Sequence, residues 1–230
     1  FANVTKQSAN WATDYTNNKA KYVNPPALAG FTNTQEVFDK GLMNKDFASM
    51  TNVNALKELA AGTGAQYPMI TSVISNVVQS NPDNVNDIGY FAIPSNDGQA
   101  PQATVWEPNG AYIPKTTTGD KLTAAKKLVA FINSSAGCEI QNSSTVAAGP
   151  FAISSCKVPS DAPALVADEQ KYQDEKQTGL ALEFLSPIKG PNLEKILVQV
   201  GSGITKAPAG AALYDNDVKA QAQQLGLEGW

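Results

Sequence analysis

Apolar positions along this chain fall into two kinds of run, one with helical spacing and one with strand-like alternation. From Thr34, residues Val37, Phe38 and Leu42 share one helical face, with Thr32 or Asn33 available as a cap. Short helices are expected around 53–61, stopped by Gly62, and over 72–79, before "SNPDN" turns the chain. The clearest helix lies in "TTTGDKLTAAKKLVAFINS". There Leu122, Ala125, Leu128, Val129 and Ile132 mark a face to be buried, and the lysines fall opposite. A helix at 162–177 pairs acids with lysines at helical spacing. In "GPNLEKILVQVGSG", Pro191 suits a first turn and Leu193, Ile196, Leu197 and Val200 repeat. The last helix, "APAGAALYDNDVKAQAQQLG", is stopped by Gly226. Strands are expected at 65–70, bent or at an edge because of Pro68, at 88–94 ("IGYFAIP") and in "GAYIP" (110–114). Residues 1–26 are polar and aromatic, and Pro25-Pro26 breaks any helix there. Helices interleaved with a few short strands make the fold class α/β, and no internal repeat is visible.

Composition narrows the chemistry. The chain has 230 residues, enough for one large domain or two small ones, and its 42% hydrophobic share supports a real core. All 17 basic residues are lysine, the net charge is −4 and histidine is absent. Phosphate-rich partners want clustered positive charge and usually arginine, so no nucleic-acid partner is expected. Carboxylate and phosphate ligands are disfavoured for want of the arginine fork. Histidine-based triads and most zinc sites are excluded. No P-loop or dinucleotide glycine signature occurs. The oxygen-rich "NPDNVND" (81–87) lacks the spacing of a calcium loop and reads as a turn. No cofactor or metal is expected. No apolar run is long enough to span a membrane.

The two cysteines, Cys138 and Cys156, bracket the polar segment "EIQNSSTVAAGPFAISS". An even count, low charge and many amides and hydroxyls favour a disulfide and an extracellular setting over two free thiols. The first residue is Phe1, with no initiator methionine, basic region or apolar leader segment, as for a processed chain or a fragment.

What stands out is aromatic rings set among uncharged hydrogen-bonding residues: Trp11 in "SANWATDY", Tyr67 before "PMITS", Trp106 in "VWEPNG" and Phe184 in "LEFLSP". A pyranose offers a C–H face that stacks on a ring and an edge of hydroxyls that seeks amides, hydroxyls and acids. A concave site with an apolar body and a few placed polar groups is the general pattern. Core packing is the alternative for each ring, and taken singly it is the stronger reading for Tyr67 and Phe184. For Trp11 and Trp106 the polar neighbours favour an outward face. Glu107, Asp14 and Glu183 are the acids near aromatics; a glycosidase would need two of them to converge.

Four stretches resemble the carboxy-terminal part of the extracellular solute-binding proteins of sugar ABC transporters, the maltose- and raffinose-binding type. They are "LKELAAGTGAQYPMITS", "DIGYFAIPSNDG", "NGAYIPKTTTGDKLTAAKKLVAFINSSAGCEIQ" and the tail "AALYDNDVKAQAQQLGLEGW". Their order along the chain carries more weight than any one of them. The resemblance implies a periplasmic-binding-protein-like (type II) two-lobe fold, present mainly as its carboxy-terminal lobe with a crossover segment of the amino-terminal lobe. The segments would be 1–105 for the first part of the carboxy-terminal lobe, 106–160 for the crossover and hinge, and 161–230 for the lobe's remaining helices. Family members are longer, with a substantial amino-terminal lobe upstream. Where the family usually has methionine in the strand at 64–70, this chain has Gln66. Where the next loop often carries tryptophan, it has Thr71, Ser72 and Val73.

Carried over by position, the implied sugar contacts are Asn10 and Trp11, then Tyr67, Met69, Thr71 and Ser72, then Trp106, Glu107, Asn109 and Gly110 on the crossover, and Glu183 with Phe184 in the last third. The implied activity is capture, not catalysis. The resemblance makes the ligand an oligosaccharide, the partners the ABC permease subunits in the membrane, and the protein a monomer. Its location would be extracytoplasmic, either lipid-anchored at the cell surface or periplasmic. Two lobes would close by a hinge as the ligand shifts the population toward the closed form. An extracellular glycoside hydrolase and a structural surface domain remain the alternatives.

Overall fold

The computed structural model of the chain describes residues 1–106, 111–151 and 153–230. The fold is mixed α/β and dominated by helix, with about half of the residues helical and one small two-stranded parallel sheet. Two compact units divide the chain. The first holds residues 1–50, 94–105 and 178–230; the second holds 51–93 and 106–177.

In the first unit, short helices α1 (Ala2–Gln7) and α2 (Trp11–Thr16) precede α3 (Leu28–Asp39). Residues 1–26, where Pro25-Pro26 was expected to break any helix, are therefore partly helical. Strand β1 (Ala103–Val105) pairs in parallel with β2 (Thr178–Leu180), with Thr104 opposite Gly179. The Thr104 hydroxyl accepts from the Phe1 amino group and from the Ala2 N–H, both at 3.1 Å. A side chain on Gly179 would place its Cβ 2.8 Å from Ala2 Cβ, so glycine lets α1 lie against the strand.

Helices α9 (Leu193–Gly201) and α10 (Ala207–Gln224) complete this unit by packing with α3. Their shared core includes Phe31, Ile196, Val200, Tyr214 and Val218. Gly210 allows the close approach of α10 to α9; a Cβ there would meet Val200 Cγ2 at 2.5 Å. The Asp215 carboxylate on α10 accepts from the Tyr22 and Val23 N–H groups at 2.8 and 3.0 Å, tying an otherwise irregular segment to the last helix. Gly226, at φ +70°, follows the end of α10 as expected.

The second unit contains α4 (Asn52–Ala60), α5 (Ile74–Ser80), α6 (Gly119–Ile132), α7 (Ser135–Ser144) and α8 (Ala164–Asp174). Thr51 caps α4 by accepting the Asn54 N–H, and Gly62, at φ +71°, follows its end. The core here is smaller: Leu56, Ala60, Ile74, Val77, Ile88, Leu165 and Val166.

None of the expected strands forms among the described residues. Residues 65–70, 88–94 and 111–114 have no ladder partner, and Gly110 lies outside the described residues. The reason is visible at 88–94. Its backbone donors go to side chains of α8: Tyr90 N–H to Asp168 Oδ2 at 3.2 Å, and Ala92 N–H to the Tyr172 hydroxyl at 3.1 Å. The face expected to bury α6 is also corrected: no residue of α6 is fully buried, and Leu128 is 59% exposed.

The expected bridge is present. Cys138 on α7 is bonded to Cys156, with Cα atoms 5.8 Å apart. Ser134 caps the same helix by accepting the Gly137 N–H. At Gly137 a Cβ would sit 2.7 Å from the Ile132 carbonyl oxygen, and the Phe131 carbonyl is closer still. These are backbone atoms and cannot swing aside. Gly137→Ala is expected to cost about 2 kcal/mol by forcing apart the turn between α6 and α7. Urea denaturation of the variant checks this.

Candidate functional site

The sequence-derived contacts that the structure describes are divided between the two units. In the first unit, Asn10 is exposed at the start of α2, but Trp11 is only 3% exposed. Its ring stacks on Tyr15 at 5.0 Å, with Tyr22 and Phe1 edge-on at 5.2 and 5.6 Å. Every face of the indole is taken by protein, so the expectation that Trp11 is a sugar platform is corrected: it is core. The cause lies in the helix itself. Trp11, Ala12 and Tyr15 fall on one side of α2 and are buried together, while the polar neighbours that suggested exposure fall elsewhere on the turn. Burial among the aromatic rings holds the hydroxyls of Tyr15, Tyr22 and Tyr214 well above the usual phenol range.

Glu183 and Phe184 lie in a single 3₁₀ turn, Leu182–Phe184, of the first unit. Phe184 is 43% exposed, and Glu183 Oε1 is 3.1 Å from Lys189 Nζ. That ion pair lies at the surface, where such pairs contribute little to stability.

The second unit carries the remaining described contacts. The Tyr67 hydroxyl donates to Asn52 Oδ1 at 3.2 Å, and the ring packs at the edge of the core. Met69 is exposed, Thr71 is half-buried and Ser72 is exposed, on and just before the 3₁₀ turn Thr71–Val73 that leads into α5. Trp106 is half exposed. Glu107, Asn109 and Gly110 lie outside the described residues.

Thr71 leads to a residue that the sequence reading passed over. Its hydroxyl donates to the carboxylate of Glu169, in the middle of α8. Glu169 Oε2 is buried and, among the described residues, has no hydrogen-bond partner. A Cβ on Gly149 would lie 3.4 Å from Thr71 Oγ1 and 3.5 Å from Glu169 Oε2, so this bend closes over the pair. Burial pushes the Glu169 carboxyl up from its ordinary value, and the Thr71 bond pulls part of the way back. The neighbouring acid behaves oppositely. Asp168 is held below the carboxylate range by Lys171, whose Nζ lies 2.8 Å away, and by the Tyr90 N–H. Burial, with Glu169 nearby, pushes Tyr90 up to about 12. The signal for Glu169 was available: it stands three and four residues after the buried Val166 and Leu165, on the inward face of α8. The sequence reading of that helix rested on its acid–lysine spacing alone.

A depression of about 280 Å³ also lies in the second unit, lined by Asn142, Ser143, Thr145, Val146, Pro159 and Asp161 among others. Ser143 and Thr145 spend their hydroxyl protons on the Ile140 and Gln141 carbonyls, at 2.9 and 3.0 Å. Their oxygens keep acceptor capacity, which suits a ligand bearing hydroxyl donors. The polar run between the cysteines was the sequence signal for this wall.

Among the described residues no three of Asp, Glu and Cys are grouped to hold a metal ion, and no helix is long and apolar enough to cross a membrane. Compared with known proteins, the chain is matched by no protein-family model and by no curated protein.

Proposed function

We propose that this chain is a non-catalytic solute-binding protein that captures an oligosaccharide outside the cytoplasm and delivers it to an ABC importer. The observation that carries the reading is Trp106. Of three tryptophans it alone presents a half-exposed ring. Trp11 is sealed in the core, and Trp230 is tied down by its indole N–H to the Thr16 carbonyl at 2.9 Å, with Lys21 Nζ 4.4 Å from its ring centre. Keeping half of an indole in water forgoes hydrophobic stabilisation of about 1 kcal/mol or more, a cost that a stacking ligand would offset.

Other features are in keeping with this reading. Units assembled from non-consecutive segments are what a type II two-lobe binding protein has, and that finer fold is part of the proposal. The Cys138–Cys156 bond suits an oxidising, extracytoplasmic compartment and a surface lipoprotein or periplasmic protein. An amide- and hydroxyl-lined depression suits a ligand recognised through hydroxyls. Affinity would come from stacking and selectivity from hydrogen bonds, with no bond made or broken. The partners are then the sugar and the membrane permease subunits, and the protein acts as a monomer without cofactor.

The test is a fluorescence titration with linear and branched oligosaccharides, repeated with Trp106→Ala. Binding to the wild type is expected, with a change in indole emission that the variant lacks. The variant is expected to bind about tenfold more weakly, equivalent to about 1.4 kcal/mol. Product formation from any sugar would replace this reading with a hydrolase. Absence of binding across the panel would leave Trp106 as a contact for some other surface.

A further inference from the structure

We infer that Glu169, Thr71 and the bend at Gly149 form a proton-operated clasp in the second unit, which holds the 69–73 loop closed when Glu169 is neutral and releases it when Glu169 ionises. Three elements meet at this carboxyl: α8, which carries it; the Thr71–Val73 turn, whose hydroxyl donates to it; and the bend at Gly149, where an added Cβ would come into ordinary contact with Thr71 Oγ1 and Glu169 Oε2. Glu169 Oε2 is buried and has no hydrogen-bond partner among the described residues. An ionised carboxylate in that position is missing hydrogen bonds that water would supply, and the arrangement of lowest cost is one in which the turn or the bend moves off and water enters.

The groups facing the carboxyl offer no rescue. Thr71 is the donor on the turn, and Tyr90 on the 88–94 segment raises no positive charge. The bend, 145–151, carries no titratable side chain. On α8 itself, Lys171 is engaged by Asp168 and Tyr172 by the Ala92 N–H.

The sign follows from linkage. Burial raises the folded value of Glu169, so the closed state binds this proton more tightly than the open one. Closure is complete below the ordinary carboxylate range, weakens as pH rises from there, and levels off above the folded value. Because the 69–73 loop holds Met69, Thr71 and Ser72, any ligand contact made there inherits this dependence. The clasp itself rests on the carboxyl's surroundings and stands whether or not the ligand is a sugar.

Hydrogen exchange read by mass spectrometry from pH 4.5 to 8, corrected for intrinsic rates, tests it on the whole chain. In the wild type, protection of peptides covering 69–74 and 145–151 is expected to fall with pH, by up to about tenfold per unit within the window. Glu169→Gln keeps the volume and removes the charge, and its profile is expected to be flat. Thr71→Val removes the one donor to the ionised form, and its fall is expected to extend to higher pH. A flat wild-type profile overturns the clasp, and so do equal slopes in wild type and Glu169→Gln. The wild-type profile decides even if a variant fails to fold.

Discussion

Trp11→Ala is expected to lose about 3–5 kcal/mol of stability, the largest single loss anticipated for this protein. Trp11 is 3% exposed and contacts three rings: Tyr15 stacked, and Phe1 and Tyr22 edge-on. Tyr22 in turn packs edge-on against Tyr214 at 4.8 Å, and Tyr214 lies against Phe31. Deleting the indole leaves a hole that α2, only six residues long, cannot fill without dragging Tyr15 out of place. Phe1 and Tyr22 would lose a wall at the same time. Urea denaturation followed by circular dichroism measures the loss, and Trp11→Phe, which keeps a ring in the stack, should restore more than half of it. The pair of variants also bears on function. A Trp11→Ala protein of unchanged stability that had lost sugar affinity would return Trp11 to the ligand site.

Opening the Cys138–Cys156 bond is expected to cost the second unit about 3 kcal/mol in the chain-entropy account of an 18-residue separation. The bond ties the first turns of α7 to a long segment, 145–163, that has no regular secondary structure among its described residues. Among the described residues seven buried ones form this unit's core cluster, fewer than the fourteen of the first. Denaturation with and without a phosphine reductant, and of a Cys138→Ala/Cys156→Ala variant, should give matching losses. The oxidised protein should show no reactive thiol. A loss in the reduced wild type that is absent from the double variant would assign the effect to the freed thiols instead of the lost tether.

The helices were largely legible in the sequence because a helix is a local object. Its hydrogen bonds close within the chain segment that carries the pattern. The expected helix at 53–61 forms at Asn52–Ala60, and that within 116–134 at Gly119–Ile132. Strands are not local. "IGYFAIP" has a strand's composition, but alternation cannot specify a partner, and here Asp168 and Tyr172 take two of its donors. The strands that do form are three residues each, below the length at which a period of two can be seen.

The candidate site was legible only in part. Reading Trp11 by its neighbours, and not by the i, i+4 relation to Tyr15, turned a core residue into a platform. Reading α8 by its charges hid Glu169. The exposure of Trp106 was accessible to sequence reasoning because it depends on residues adjacent in the chain.

The segmentation of the first unit sets the order in which the molecule can be made. Residues 51–177 hold every segment of the second unit, so all of them are synthesised before the first unit's last helices. The aromatic rings of residues 1–31 must wait for Tyr214 and Val218, nearly two hundred codons later. At about 5–20 residues per second that is a delay on the order of ten seconds or more, during which a cluster of sticky rings stays uncovered on the nascent chain. A holding chaperone or a slow-translating host should therefore change the soluble yield of this protein far more than its final stability would suggest.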